Sequence, residues 1–550
     1  MKRAFLLATG AMLAVTMVAA TSVAQPAKDE AKAEAQTEFF QPTATKSDGS
    51  VTVAGTRIDY EAVAGTIVVH PSGWDDAPQD SEAAKKNPNA EASMFYAAYF
   101  KKGVPSSARA LTFLYNGGPG SSTVWLHMGA FGPERVVTSD NTHTPAAPYR
   151  VVNNDSSLLD ASDLVFVDAP GTGFGRIAGK DKEKAFYGVD PDVHAFAEFI
   201  QAFLTRYGRW NSPKYLFGES YGTPRSAALA NVLQSDYSID LNGVILLSQI
   251  LNFTLDIDGP ESNPGVDLPY ELALPTYAAT AWYHHRLPKK VKDLPSLLQE
   301  VERFAMGPYA AALAQGGSLD PATRAKVAQQ LHEYTGLPVA YIVKANLRVS
   351  GGEFEKNLQG ETDIDTGRLD SRFSGPTMDP LSKEAEYDPQ SAAISSAYVS
   401  AFNDYVRKQL DYGQDQTYKP EISVFRHWDF KHKQPNRSFA FPGATNVMPD
   451  LAAAMKQNPN LKILVTGGYY DIATPFYQGW YEMHHLPIPD KLQANIQYHY
   501  YESGHMVYAH EPSLEKFHDD VAAFIRSTEN VTSAATGTST ASASRSEDVR

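Results

Sequence analysis

Four short apolar runs constrain this chain more than any other feature: Leu164–Val167, Tyr215–Phe217, Gly243–Leu247 and Lys462–Val465. Each is too short for a helix and apolar on both faces, as expected of a strand buried in a parallel sheet. Between the first two lies a stretch of helical periodicity, with Val193, Phe196, Phe199, Ile200, Phe203 and Leu204 on one face. Asp190 is placed to cap that helix and Pro191 suits its first turn, which leaves Asp192 and His194 on the exposed side. A last amphipathic helix carries Leu514, Phe517, Val521, Phe524 and Ile525. Strands alternating with helices predict an α/β fold whose mostly parallel central sheet is covered on both faces. From residue 252 to 420 the texture turns helical and irregular, with Gly259-Pro260 and Gly375-Pro376. That segment is expected to be a cap inserted over the sheet, dividing the core into residues 51–251 and 421–526.

The ends read differently. Lys2 and Arg3 precede an apolar run from Ala4 to Ala20, and Ser22-Val23-Ala24 forms a small-residue cleavage site before Gln25. Residues 1–24 are therefore expected to be a signal peptide, with a membrane anchor as the competing reading. Residues 25–50, rich in Ala, Lys, Glu and Thr with little to bury, and the small, polar residues 527–550 read as a disordered linker and tail. Of the 550 residues none is Cys, which excludes disulfides, thiolate metal sites, a Cys nucleophile and a lipid-bearing Cys. Export without Cys points to a bacterial periplasm or medium. The net charge of −15 argues against nucleic acid as a partner, and no membrane association is expected after signal cleavage.

The chemistry begins at Gly218-Glu219-Ser220-Tyr221-Gly222, which follows the Tyr215–Phe217 run and precedes the helical Thr223–Leu233. This is G-x-S-x-G between strand and helix, where a sharp turn lifts the Ser hydroxyl above the sheet. Asn116-Gly117-Gly118-Pro119-Gly120 follows the apolar Leu111–Tyr115 and can aim backbone N–H groups at an oxyanion. Asp471 lies at the end of the Lys462 strand, and His505 follows the strand-like Ile496–Tyr500. Ser220, Asp471 and His505 stand in the chain order of an α/β-hydrolase triad, and the long gap between Ser and Asp is where that fold accepts a cap.

These motifs resemble the serine carboxypeptidases. The family's Asn-Gly-Gly-Pro-Gly is Asn116–Gly120, its Gly-Glu-Ser-Tyr is Gly218–Tyr221, and its Gly-His-Met-Val is Gly504–Val507. The intervening Gly-x-Gly-Phe segment looks like Asp168–Phe174. The resemblance implies an α/β-hydrolase fold with a helical cap, and removal of C-terminal residues from peptide substrates. It implies Ser220 as nucleophile, His505 as base, Asp471 as its partner, and the N–H groups of Gly118 and Tyr221 as oxyanion hole. Asn116, Gly117 and Glu219 would bind the substrate's carboxylate, and Met506 would line the leaving-residue pocket. Another serine hydrolase on the same scaffold (an esterase, an acyltransferase or a different peptidase) is the alternative.

The departures bear on that carboxylate site. Where the family carries a second Glu, two residues before Gly132-Pro133, this chain has Ala130, with Glu134 nearby. Tyr508 replaces the Pro that usually follows His-Met-Val, and Tyr469 replaces the first Asp of the Asp471 region. Arg225, one turn beyond Ser220, reads either as a substitute positive charge or, preferably, as a solvent-facing helix residue. His284-His285 and His484-His485 lack zinc-ligand spacing, and Asp363–Gly367 reads as a solvated acidic loop. No metal and no cofactor are expected.

Overall fold

The computed structural model describes residues 38–75, 87–440 and 444–530. Nine strands form the main sheet: β1 (Ala44–Val53), β2 (Thr56–Val69), β3 (Glu91–Lys101), β4 (Ala110–Tyr115), β5 (Ser162–Val167), β6 (Lys214–Glu219), β7 (Gly243–Leu247), β8 (Lys462–Gly468) and β9 (Ile496–Tyr501). They lie in the order β1-β2-β3-β5-β4-β6-β7-β8-β9, with a short tenth strand, Arg176–Ala178, beside β3. The pairs from β1 to β5 are antiparallel, and those from β5 through β4 to β9 are parallel. This is the strand order of the α/β-hydrolase fold. The chain steps from β4 to β5 on one side and then returns across β4 to β6. The loops after β4 and β6 therefore diverge at a switch point, where α/β sheets open a crevice for ligands.

Alternation along the strands builds two cores. Leu111, Phe113, Leu216, Val244, Leu246, Ile463 and Val465 face one side, against α1 (Val189–Tyr207), α2 (Gly222–Ser235) and α7 (Met448–Gln457). Leu114, Tyr215, Phe217, Ile245 and Leu464 face the other, against α6 (Pro389–Lys408) and α9 (Glu511–Thr528). The cap packs α3 (Leu268–Tyr283), α4 (Leu294–Phe304) and α5 (Pro321–Thr335) around a separate apolar cluster. That cluster also takes in Tyr470 and Ile472 on either side of Asp471, and Phe476 and Tyr477 of α8 (Phe476–His484). The cap thus grips the loop that carries Asp471.

Several boundaries differ from those read in the sequence. Residues 44–50, expected within a linker, belong to β1, which pairs with β2 along its whole length. As an edge strand it fully buries only Val51 and Val53 and leaves its other residues partly or wholly exposed, so it lacks the apolar run of an interior strand. Helix α6, inside the expected cap segment 252–420, already packs on the core sheet. Described residues 419–440 and 444–446 run irregularly over the core and are tied to it by bridges at Gly173, Ser121, Gly188 and Asn252. Within the expected tail, Ser527 and Thr528 complete α9, and Thr528 Oγ1 lies 2.8 Å from the Tyr215 hydroxyl. Residues 1–37 and 531–550, including the expected signal peptide, lie outside the described residues.

Helix α1 starts two residues earlier than expected, at Val189, and Asp190 does not cap it. The Asp190 carboxylate instead lies 2.6 Å from His432 Nδ1, while Asp450 lies 2.8 Å from His432 Nε2. His432 thereby ties the crossing segment to the first turns of α1 and α7. The acidic stretch 363–367 is likewise not a solvated loop: Ile364–Thr366 pairs with Ser374–Pro376, and buried Asp365 lies 3.3 Å from Lys356.

Candidate active site

Ser220 occupies the turn between β6 and α2 with φ of 60°, in the left-handed region that a non-glycine residue enters only when the fold enforces it. The enforcement is local. A Cβ on Gly218 would lie 2.0 Å from the Gly222 carbonyl oxygen, so the turn closes only with glycine there. The Ser220 N–H donates to the Leu247 carbonyl at the end of β7, 3.0 Å away, which fixes the turn to the sheet. The loop after β4 lies directly against this elbow: a Cβ on Gly117 would be 2.3 Å from the Tyr221 nitrogen. The expected oxyanion segment and the residue after Ser220 are thus in contact.

His505 and Asp471 come from the loops after β9 and β8. His505 Nδ1 is 2.8 Å from Asp471 Oδ2, and both side chains are almost fully buried. Thr474 completes the arrangement. Its N–H donates to Asp471 Oδ1 over 3.0 Å, and its hydroxyl donates to Oδ2 over 2.6 Å and lies 3.1 Å from His505 Nδ1. The sequence reading did not single out Thr474; an Asp followed three residues later by Thr at a strand end was the available signal. Ser248, next to the residue that holds Ser220, donates its hydroxyl to the His505 carbonyl at 2.8 Å. A cap segment supports the same loops, since His505 N–H donates to the Leu369 carbonyl and the Ile472 and Ala473 N–H groups to that of Arg368. Ser220 and His505 are not joined by a hydrogen bond among the described residues.

Burial disfavours a charged His505 imidazole, but the Asp471 carboxylate outweighs it and holds the imidazole pKa above its ordinary value. Glu219, the residue before Ser220, is buried as well. Burial pushes its carboxyl up to about 7, opposed by nearby His505 and by hydrogen bonds from Tyr508 and Asn116. Asn116 is fixed from two sides: its Oδ1 accepts the Leu126 N–H at 3.1 Å and its carbonyl accepts Arg225 Nη1 at 2.9 Å. Met506 is nearly buried and joins the apolar core beside His505.

Arg225 is neither solvent-facing nor open to a ligand. It is 1% exposed, lies 2.6 Å from Asp192, and has its guanidinium 4.3 Å above the centre of the Phe196 ring. Asp192 is correspondingly fully buried, not on the exposed side of its helix. The ion pair pins α2 to α1 beneath the elbow. Ala130 is buried, with its carbonyl accepting from Asn154. Glu134 lies among Tyr60, Tyr99 and Tyr405 and does not join Glu219. Tyr469 packs edge-on against Phe476 in the cap cluster. Of the other histidines singled out, His284 Nε2 lies 2.6 Å from the Ser371 carbonyl, and His484 and His485 stack on Trp480 and Tyr481.

Residues 77–263 match the model of the serine carboxypeptidase family, a stretch that contains Asn116–Gly120 and Gly218–Gly222. No curated protein sequence matches the chain. Among solved structures it is similar to a proline iminopeptidase of Mycobacterium smegmatis, with 13% identity, 88% of this chain and 99% of that chain covered, and a TM-score of 0.32. It is also similar to a peroxisomal α/β-hydrolase of Saccharomyces cerevisiae (10% identity, 84% and 89% covered, TM-score 0.31). A monoacylglycerol lipase of Paleococcus ferrophilus gives 12% identity, 76% and 94% coverage and a TM-score of 0.29. Overlaps this shallow add nothing to what the strand order states. The chain is a serine hydrolase of the α/β-hydrolase fold whose residues 77–263 carry the serine carboxypeptidase pattern.

Proposed function

We propose that this protein is an exported serine-type carboxypeptidase, acting in the periplasm or medium of a bacterium on the C-terminal residues of peptides. The observation that carries the reading is the 2.8 Å bond between His505 and Asp471, set on loops beside the Ser220 elbow. In this mechanism Ser220 Oγ attacks the scissile carbonyl while His505 Nε2 takes its proton. Asp471 holds the imidazole through Nδ1 and stabilises its charged form. The N–H groups of Gly118 and Tyr221 receive the oxyanion, and His505 returns the proton to the leaving amine. Water, deprotonated by the same imidazole, then releases the acyl group from Ser220. Protonated Glu219 and the Asn116 amide donate to the terminal carboxylate of the substrate; two carboxyls share a site only when one is neutral. A second reading, an esterase on the same scaffold, is favoured by buried Ala130, which supplies no acid where the family has one. Mass spectrometry of a defined peptide digest separates the two, since a carboxypeptidase shortens only the C-terminal end. Intact peptides alongside rapid hydrolysis of acyl esters would replace the carboxypeptidase with the esterase. Export is tested by the N-terminus of native protein, which should begin near Gln25.

A further inference from the structure

Tyr508 lies three residues after His505, on the short helical turn Val507–Ala509, and is 3% exposed. Its hydroxyl lies 2.9 Å from Oε2 and 3.2 Å from Oε1 of Glu219, 289 residues away in sequence. Its ring also fills the volume beside the turn after β4: a Cβ on Gly129 would lie 2.7 Å from Tyr508 Cδ2 and 2.6 Å from Tyr398 Cε1. That turn, Leu126–Phe131, contains Ala130. Where the family pattern offers an acid from this turn and a Pro after His-Met-Val, the chain offers a small residue and a tyrosine, and the tyrosine occupies the space between the turn and Glu219.

We propose that Tyr508 is a positioning and specificity-determining residue, whose hydroxyl orients Glu219 and sets the protonation state in which it meets a substrate carboxylate. The inference rests on the carboxypeptidase reading. A neutral carboxyl that accepts from Tyr508 keeps its own O–H free for the incoming carboxylate. When Glu219 ionises, the same tyrosine donor stabilises the anion, and the substrate carboxylate is repelled. The hydroxyl therefore places the pH at which free-acid peptides cease to bind. The titratable groups around Glu219 are His505 and Asp471 from the β9 and β8 loops, Tyr508 itself, and Tyr398 from α6.

The test compares a peptide with its C-terminal amide, from pH 5 to 9, for wild type and Tyr508→Phe. Removing a donor to a charged carboxylate should raise the Glu219 pKa, by about one unit or more. KM for the free acid should therefore hold its low value to correspondingly higher pH, kcat should change less than about threefold, and KM for the amide should not move. Because Phe could disturb packing, fluorotyrosine at position 508 gives the opposite perturbation in the same shape. It is a stronger donor and should move the limb to lower pH. If neither substitution moves the free-acid KM profile while both proteins take a fluorophosphonate label, Tyr508 does not set this site and the proposal is wrong. A wild type that takes the label but shortens no peptide at any pH would overturn the carboxypeptidase reading, and the role of Tyr508 with it.

Discussion

Replacing Arg225 with Ala probes the support beneath the candidate nucleophile. The Arg225–Asp192 side chains are 0% and 1% exposed, so neither charge is screened by water. Asp192 accepts from Nε over 2.6 Å and from Nη2 over 3.2 Å. Deleting the guanidinium leaves a buried carboxylate without its partner, a loss of about 3–5 kcal/mol. The Asn116 carbonyl loses its donor as well, which adds about 1 kcal/mol. The expected destabilisation of Arg225→Ala is thus roughly 4–6 kcal/mol, measured by urea unfolding. Arg225→Met combined with Asp192→Leu should recover more than half of it, because an apolar pair of similar volume has no desolvated charge to satisfy. Activity of the single variant should fall at least tenfold under folding conditions, since Asn116 leads the loop packed on the elbow. A loss below about 1 kcal/mol, with activity intact, would mean that Arg225 is a surface residue and that the packing described beneath Ser220 is wrong.

Asp471→Asn should keep the fold but lower kcat by about 10³–10⁴, because the amide cannot stabilise the imidazolium on His505; steady-state kinetics on an ester reads this. Peptidase kcat/KM should be bell-shaped in pH. It should rise as His505 loses its proton above an elevated pKa and fall as Glu219 ionises near 7, and Glu219→Gln should remove the alkaline fall. His432 offers a stability readout. Burial disfavours its charged form, but Asp190 and Asp450 raise its pKa to about 9 in the folded state. Its contribution is therefore complete below about pH 6.5, its unfolded value, and is lost as pH rises through about 9. A difference of about 2 kcal/mol between wild type and His432→Ala at pH 6 should shrink by pH 10, with burial of Asp450 offsetting part of it.

What could be read in the sequence was what local geometry demands. The elbow needs glycine at Gly218 and an apolar strand before it, and both are contiguous, so Ser220 was legible. Asp471 follows an apolar run and His505 a strand-like one, and both segments are strands. The unread features are pairings between distant segments. Asp192 and Arg225 each look like an ordinary polar helix residue, and only the packing of α1 on α2 turns them into a buried pair. Tyr508 meets Glu219 only because β9 and β6 end on the same edge of the sheet. Strand β1 was missed because an edge strand buries too few side chains to leave an apolar run. The path of residues 421–440 is set by bridges to core loops and by His432 between two helix starts, and no local periodicity encodes it.

Fluorophosphonate labelling of wild type and Ser220→Ala, each incubated in parallel with a free-acid peptide, joins the nucleophile to the proposed reaction. Wild type should gain one adduct, mapped to the peptide containing Ser220, and should shorten the substrate from its C-terminal end. Ser220→Ala should do neither while unfolding at the same urea concentration as wild type. An adduct on another residue, or a Ser220→Ala protein that still trims the peptide at near wild-type rates, would contradict the assignment of Ser220.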